Sequence, residues 1–320
     1  MIIGKVRLIM RIAVLMGGKS KEREVSLRSG DAVANALEKK GHQVERIDAA
    51  DSLAAQLERF NPDVAFIALH GKFGEDGTVQ GLLELMNIPY TGSGVASSAI
   101  CMNKVLTKRI LTSEGIPTAP YLVLNRLLES SSPSEFSSRI IKELGLPVVI
   151  KAATQGSTIG TSIVKHETAL EEAITESLVY DHEVLAEKFI AGIEVTASVL
   201  GNRNPRLLPL IEIVSSSGVY DYESKYTPGG SSHIIPARLS NNVTDIVKAI
   251  AIKTFAALGC KGLGRVDIII TDQNQPHVLE MNTIPGMTDL SLFPDAARHA
   301  GISFEDLVEE VARLALEETP

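Results

Sequence analysis

The sequence predicts a parallel α/β unit followed by two α+β units, and three observations carry that expectation. The first hundred residues alternate short apolar runs with segments of helical spacing. From Gly192 onward, strand-like runs follow one another with no helix between them, and between these two parts single helices and strands are mixed. Strand–helix–strand order needs crossover connections and hence a parallel sheet, whereas consecutive strands fold back antiparallel.

The first run, Arg11–Met16 (RIAVLM), ends at Gly17-Gly18. Leu27, Gly30, Val33, Ala34 and Leu37 then recur at helical spacing, with Gly41 as the stop. HQVERID, a short helix near 52–60 and VAFIALH complete a doubly wound parallel unit. Asn103–Glu114 reads as a helix closed by Gly115 and Pro117. A Ser-rich surface loop at 130–134 starts the next helix, with Ser132 as N-cap, Pro133 in the first turn and Glu135 completing a capping box. PVVIKAA, TSIVKH and EVLAEKFI are strand-like, and 167–178 between the last two is helical. EVTASVLG, RLLPLIEIV, RVDIIITD and HVLEMN predict an antiparallel sheet. Ser303 caps a last helix whose Phe304, Leu307, Val308, Val311 and Leu314 share a face.

Composition narrows the function. Of 320 residues, 44% are apolar and 22% charged, the profile of a soluble globular protein. A net charge of −8, no basic run and no Trp argue against a nucleic-acid partner. No stretch approaches the roughly 18 apolar residues of a membrane span. The opening MIIGKVRLIM holds Lys5 and Arg7 and lacks the features of a signal peptide. Cys101 and Cys260 have neither ligand spacing nor a disulfide framework, which fits a reducing compartment.

AVLMGGKS (13–20) is a weak match to a phosphate loop and is set aside: its first half lies inside an apolar strand, and KERE rather than an apolar helix follows. The informative stretch is 264–292. Side chains two apart on a strand share a face, so Arg265 and Asp267 point together, as do Glu280 and Asn282 on the next strand. A hairpin through TDQNQP would converge all four and leave Val266, Ile268 and Met281 on the opposite face. Two carboxylates and an amide oxygen suit magnesium, and an adjacent Arg can offset negative charge in a transition state.

Lys151 before the loop TQGSTIG can meet phosphate, with Gly156 and Ser157 admitting close backbone contact. Lys104 reads equally well as a solvated helix lysine. Glu187 and Glu194, taken alone, read as surface carboxylates. The loops 17–26 and 70–77 follow the carboxyl ends of the first and third strands, where open α/β sheets bind ligands. Glu22 could hold a substrate ammonium group there, and His70 could orient it. The polar stretch 218–238 reads as a lid, with Lys225 and Tyr226 as its working residues.

The motifs LMGGKSKEREVSLRSG, ALHGKFGEDGTVQG, YTGSGVASSAICMNK, GLGRVDIIITD and LEMNTIPGMTDLSLFP resemble the D-alanine–D-alanine ligase family of the ATP-grasp superfamily, from about Arg11 to the last helix. The resemblance implies an α/β substrate-binding domain (1–104), a central ATP-grasp subdomain (105–191) and a C-terminal ATP-grasp domain (192–320). It implies magnesium ligands Asp267, Glu280 and Asn282, with two ions bridged by Glu280 and manganese as an alternative metal. ATP phosphates fall to Lys104, Lys151 and the loop at Ser157. Glu187, Lys188, Phe189 and Ile190 resemble the adenine edge and Glu194 the ribose contact, while Lys225 and Tyr226 fall on the lid. Glu22 and His70 match the site for the first D-alanine, and Ser291 and Leu292 the carboxylate site of the second. Arg265 and the Gly286 backbone match the groups around the reacting carbonyl, so Glu22, Ser157, Tyr226, Arg265 and Gly286 are the implied catalytic positions.

Two departures stand out. Gln155-Gly156-Ser157 replaces the frequent Glu-Gly-Ser, and Phe189 stands where an indole sometimes occurs. The implied activity is ATP-dependent formation of D-alanyl-D-alanine, a peptidoglycan precursor, through an acyl phosphate, by a cytoplasmic homodimer. D-serine or D-lactate as second substrate stays open, although Tyr226 matches the family's choice of D-alanine. A nucleotide-binding regulator without turnover is the rival from another class.

Overall fold

The computed structural model describes residues 9–156, 160–215, 231–288 and 291–317. Its first sheet is parallel, with β1 (Arg11–Met16), β2 (Gln43–Asp48) and β3 (Val64–Ile67) in the order β2-β1-β3. Both faces are covered, as the doubly wound expectation requires. Ile12, Val14, Val64 and Phe66 pack toward the helix Arg23–Lys39, and Ala13, Leu15, Ala65 and Ile67 pack toward helices Leu53–Phe60 and Thr78–Leu85. The strand period of two explains this split between faces.

The second sheet contains β4 (Tyr121–Asn125), β5 (Val148–Ala152), β6 (Thr161–Val164) and β7 (Glu183–Lys188) in the antiparallel order β4-β7-β5-β6. Helices Pro133–Glu143 and Leu170–Tyr180 bury Phe136, Ile140, Leu170 and Ile174 against it. The capping box forms: Glu135 N–H donates to Ser132 Oγ at 3.2 Å, and Ser132 N–H donates to Glu135 Oε2 at 2.7 Å. The helix expected at 167–178 opens as a 3-10 turn over Glu167–Ala169.

The third sheet holds β8 (Ile193–Leu200), β9 (Arg206–Leu207), β10 (Ile211–Ser215), β11 (Ser231–Ile234), β12 (Leu263–Ile270) and β13 (Pro276–Asn282). Their order is β11-β10-β8-β12-β13, with β9 on β8. Helices Lys104–Ser113 and Asn241–Ala257 contribute Leu111, Val247 and Phe255 to the core beneath it. Part of the stretch read as a lid is strand instead: β11 adds to the edge of β10, and Arg238 closes the segment by pairing with Glu212 at 2.5 Å. A four-residue edge strand, SSHI, carries too little apolar pattern to be seen in sequence.

The last helix, Phe304–Leu314, leaves the third sheet and returns to the first. Its Leu307, Val308 and Val311 share a core with Val33 and Leu37, and Lys39 reaches Glu305 at 3.2 Å. Cys101 and Cys260 are both buried free thiols, with Sγ atoms 3.8 Å apart.

Candidate active site

The hairpin forms in the register that brings its polar groups together. Arg265 lies opposite Asn282 and Asp267 opposite Glu280, while Val266 and Met281 face the core. A bulge between Asp267 and Ile268 then shifts the pairing, so that Ile268 meets Val278. On the other side of β12, Asp267 lies opposite Thr196, Arg265 opposite Ser198 and Ile269 opposite Glu194. Glu194, Thr196, Asp267, Arg265, Glu280 and Asn282 therefore share one face of the third sheet.

Arg265 grips Asp267 with two hydrogen bonds, Nε to Oδ1 at 2.8 Å and Nη2 to Oδ2 at 2.7 Å. Thr196 Oγ1 donates a third to Oδ1 at 2.7 Å. Asn282 Oδ1 accepts from Ile284 N–H at 3.1 Å. Among the described residues no group of three or more His, Cys, Asp or Glu has a metal-binding arrangement. The candidate set here is two carboxylates and an amide oxygen, a hard donor set that fits magnesium with phosphate and water completing the shell.

A cavity of about 110 Å³ joins this face to the first sheet; Glu22, His70, Glu75, Lys104, Arg265, Glu280, Asn282 and Gly286 line it. Glu22 precedes the helix Arg23–Lys39, and its carboxylate lies close against two glycines: a Cβ at Gly71 would stand 2.6 Å from Oε2, and one at Gly156 3.3 Å. His70 is buried, with Nε2 3.2 Å from Ser29 Oγ and Nδ1 3.8 Å from Glu75 Oε1. Ser29 Oγ also accepts from Met287 N–H at 3.4 Å, beside Gly286. A hydroxyl, an imidazole and a carboxylate thus tie the first unit to the loop after the hairpin.

That loop is held by Ser291, which stands at the N-cap position of the helix Leu292–His299 and whose Oγ accepts from Thr288 N–H at 3.0 Å. Gly286 packs closely on Ser291: a Cβ there would lie 2.8 Å from Ser291 Oγ. The Leu292 side chain is buried in the core shared with the first sheet, leaving its helix-start backbone as the group a carboxylate could meet.

The phosphate candidates enter from the second sheet and the helix before it. Asn103 caps the helix Lys104–Ser113, accepting from Val105 and Leu106 N–H at 2.9 and 3.0 Å. Lys104 Nζ donates to Gln155 O at 2.6 Å, while Gln155 Nε2 reaches Tyr180 O at 3.4 Å. Lys151 Nζ lies 2.6 Å from Glu187 Oε2. Contrary to a surface reading, Glu187 is only 2% exposed, because β7 is a central strand. Burial pushes its carboxyl up, and the charges of Lys151 and Lys108 more than offset that, holding it ionised below its ordinary range. Burial pulls Lys151 down, but Glu187, with Glu280 and Glu194 across the gap, raises it overall.

After Glu187, Lys188 N–H donates to Pro120 O at 2.9 Å and Phe189 N–H to Pro147 O at 3.1 Å, which fixes the backbone leading to the half-buried Ile190. Ser157, Lys225 and Tyr226 lie outside the described residues. In the phosphate-loop look-alike, Gly18 N–H is taken by Asp48 Oδ1 at 3.1 Å, and Lys19 is exposed. Sequence reasoning missed Arg23, which binds Asp48 at 2.9 and 2.5 Å, and Lys108, 2.8 Å from Glu187 Oε1. Spacing alone could have flagged Lys108, one helical turn after Lys104.

The pattern described as "D-ala D-ala ligase C-terminus" matches residues 110–313, and "D-ala D-ala ligase N-terminus" matches 47–93. A D-alanine--D-alanine ligase of Desulforamulus reducens is 57% identical over 97% of this chain and 99% of its own length. That of Moorella thermoacetica is 56% identical over 96% of this chain and 100% of its own. A crystal structure of the Bacillus anthracis D-alanine--D-alanine ligase complexed with ATP superposes with a TM-score of 0.83 at 34% identity, covering 96% of this chain and 97% of that one.

Proposed function

The chain belongs to the D-alanine–D-alanine ligase family, and from that membership we propose that it joins two D-alanines at the expense of ATP, using the side chains gathered around the hairpin. The observation that supports this reading best is the β12–β13 register, which gathers Arg265, Asp267, Glu280 and Asn282, with Arg265, Glu280 and Asn282 lining the same cavity as Glu22 and Lys104. The three sheets serve as working units over 1–104, 105–191 and 192–320. The product supplies peptidoglycan precursor synthesis. Its dependence on ATP fits the cytoplasm, no helix among the described residues is long and apolar enough to cross a membrane, and family membership favours a homodimer.

Glu22 takes the ammonium group of the first D-alanine, and His70, set by Ser29 and Glu75, orients that corner. A carboxylate oxygen of this D-alanine attacks the γ-phosphorus of ATP; the bond to the β–γ bridging oxygen breaks, leaving ADP and a D-alanyl phosphate. Lys104 and Lys151 offset charge on the phosphates, and family membership assigns Ser157, Lys225 and Tyr226 to the same end of ATP. Glu187, Lys188, Phe189 and Ile190 border the adenine, and Glu194 the ribose.

Asp267, Glu280 and Asn282 would hold magnesium, which would supply positive charge to offset that on the transferring phosphoryl group. The second D-alanine, its carboxylate at Ser291 and Leu292, attacks the acyl carbon through its neutral amine. Arg265 and the Gly286 N–H stabilise the oxyanion that develops, the carbon–oxygen bond to phosphate breaks, and the amine proton goes to solvent. Much of the rate comes from alignment of reactants on a rigid sheet.

The test is phosphate release from magnesium-ATP with D-alanine, L-alanine, D-serine, D-lactate or no addition, with products weighed by mass spectrometry. D-alanine alone should stimulate release and yield its dipeptide. ATP binding with no stimulation by any of them would favour a regulator.

A further inference from the structure

Glu187 sits between two lysines whose surroundings differ. On β7 it lies directly between Tyr121 of β4 and Val149 of β5, and Lys151, two residues past Val149, reaches it diagonally on the same face. Lys108 comes down from the helix Lys104–Ser113 one turn after Lys104. Lys108 Nζ is 2.8 Å from Oε1 and Lys151 Nζ is 2.6 Å from Oε2, so each lysine takes its own oxygen of one carboxylate.

Lys108 is fixed. It is 1% exposed, its Nζ donates to Thr118 Oγ1 at 2.6 Å and to Ala119 O at 3.4 Å, and it lies 5.6 Å over the Tyr121 ring. Thr118 is anchored in turn, donating to Val278 O of β13 at 2.7 Å. Lys151 is different: its side chain is partly open, and Glu187 is its only ion-pair partner among the described residues. Of the two, Lys151 has the more open side chain and the fewer partners, and it is the one that reads as a phosphate ligand.

We propose that Lys108 is a positioning residue, the resident counterion of Glu187 that lets Lys151 leave this carboxylate and take up an ATP phosphate. With both lysines in place Glu187 has one more cation than it needs. When Lys151 turns to phosphate, a neutral Lys108–Glu187 pair stays behind. Without Lys108 the same movement would strand a buried carboxylate, which proteins avoid strongly. Lys151 would then stay locked on Glu187, and ATP would bind weakly although every residue touching it was present. This inference rests on the reading of Lys151 as an ATP ligand.

The test compares the full-length wild type with Lys108→Met, Glu187→Gln and the double variant, each checked for folding by circular dichroism. Magnesium-ATP binding is measured by calorimetry without D-alanine. The expected result is that K108M weakens ATP about tenfold or more when Glu187 is present, and less than about twofold when position 187 is already Gln, since no charge is then left to strand. Equal losses in both backgrounds, or no loss in either, would overturn the role of Lys108. If K108M alone does not fold, E187Q against the double variant still decides, because unequal ATP affinities there contradict the proposal. Phosphate release with D-alanine is followed separately in the wild type. Its absence with ATP binding intact removes the ligase reading alone, and a wild type that binds no ATP removes both.

Discussion

Arg265 holds Asp267 through two hydrogen bonds of 2.8 and 2.7 Å on a strand face that Glu280 and Asn282 share. A carboxylate proposed to bind metal is thus already shared with a guanidinium. The pairing sets Asp267 in place before substrate arrives, and makes the metal and Arg265 competitors for its charge.

Arg265→Met is therefore expected to move two quantities in opposite directions. Less magnesium should be needed for half-maximal phosphate release, since Asp267 is released to the metal, while kcat falls about 10²- to 10³-fold with the loss of oxyanion stabilisation. Asp267→Asn should raise the magnesium requirement. Titration of activity against free magnesium checks both, and an unchanged requirement in either variant would contradict the shared use of Asp267.

Gly71 tests the placement of Glu22. Its φ is +70° and its Cβ would stand 2.6 Å from Glu22 Oε2. Gly71→Ala should cost roughly 1–2 kcal/mol in stability from the left-handed backbone. It should also raise the KM of the first D-alanine about tenfold or more by displacing the carboxylate. The affinity for ATP should hold, and a rise confined to the second D-alanine would place Glu22 elsewhere.

Glu309 links the last helix to the first unit, within reach of Lys40 at 3.1 Å and Arg313 at 2.7 Å. Burial pushes its carboxyl up, but hydrogen bonds from Arg313 and Lys40 win and bring it from 4.5 to about 2. A depressed carboxyl gives stability that is complete above its unfolded value and is lost as pH falls through the folded one. Wild type should therefore melt above Glu309→Gln at pH 7, by a margin worth on the order of 3 kcal/mol or less. That margin should shrink between about pH 4.5 and pH 2. Thermal melts across that range check the sign.

Ser132→Ala serves as a control far from the cavity. It removes the capping box of the helix Pro133–Glu143 and should cost about 1 kcal/mol in stability with kcat and both KM values unchanged. A kinetic effect would show that the second sheet transmits strain to the site.

What could be read from sequence was what obeys a short period. The hairpin convergence of Arg265, Asp267, Glu280 and Asn282 follows from strand alternation alone, and the structure has that register. The capping box at Ser132 and the Asn103 cap are equally local. Pairings set by topology were hidden. Arg23 meets Asp48 only because β1 and β2 run parallel in register, with Met16 opposite Asp48. The burial of Glu187 depends on β7 being central, which its own residues do not announce. Helical spacing sets Lys108 one turn after Lys104, but it does not show the carboxylate of Glu187 beneath it. The last helix showed which face it buries but not that its partner would be the helix Arg23–Lys39, far away in sequence.

The most direct test of ligation through an acyl phosphate uses D-alanine labelled with oxygen-18 in both carboxylate positions, together with unlabelled magnesium-ATP. Attack of that carboxylate on the γ-phosphorus carries one labelled oxygen into the phosphate. The expected result is one oxygen-18 in each phosphate released and a dipeptide whose peptide carbonyl keeps the other. Unlabelled phosphate beside a labelled dipeptide would contradict the mechanism, and phosphate released with no dipeptide would contradict the ligase reading itself.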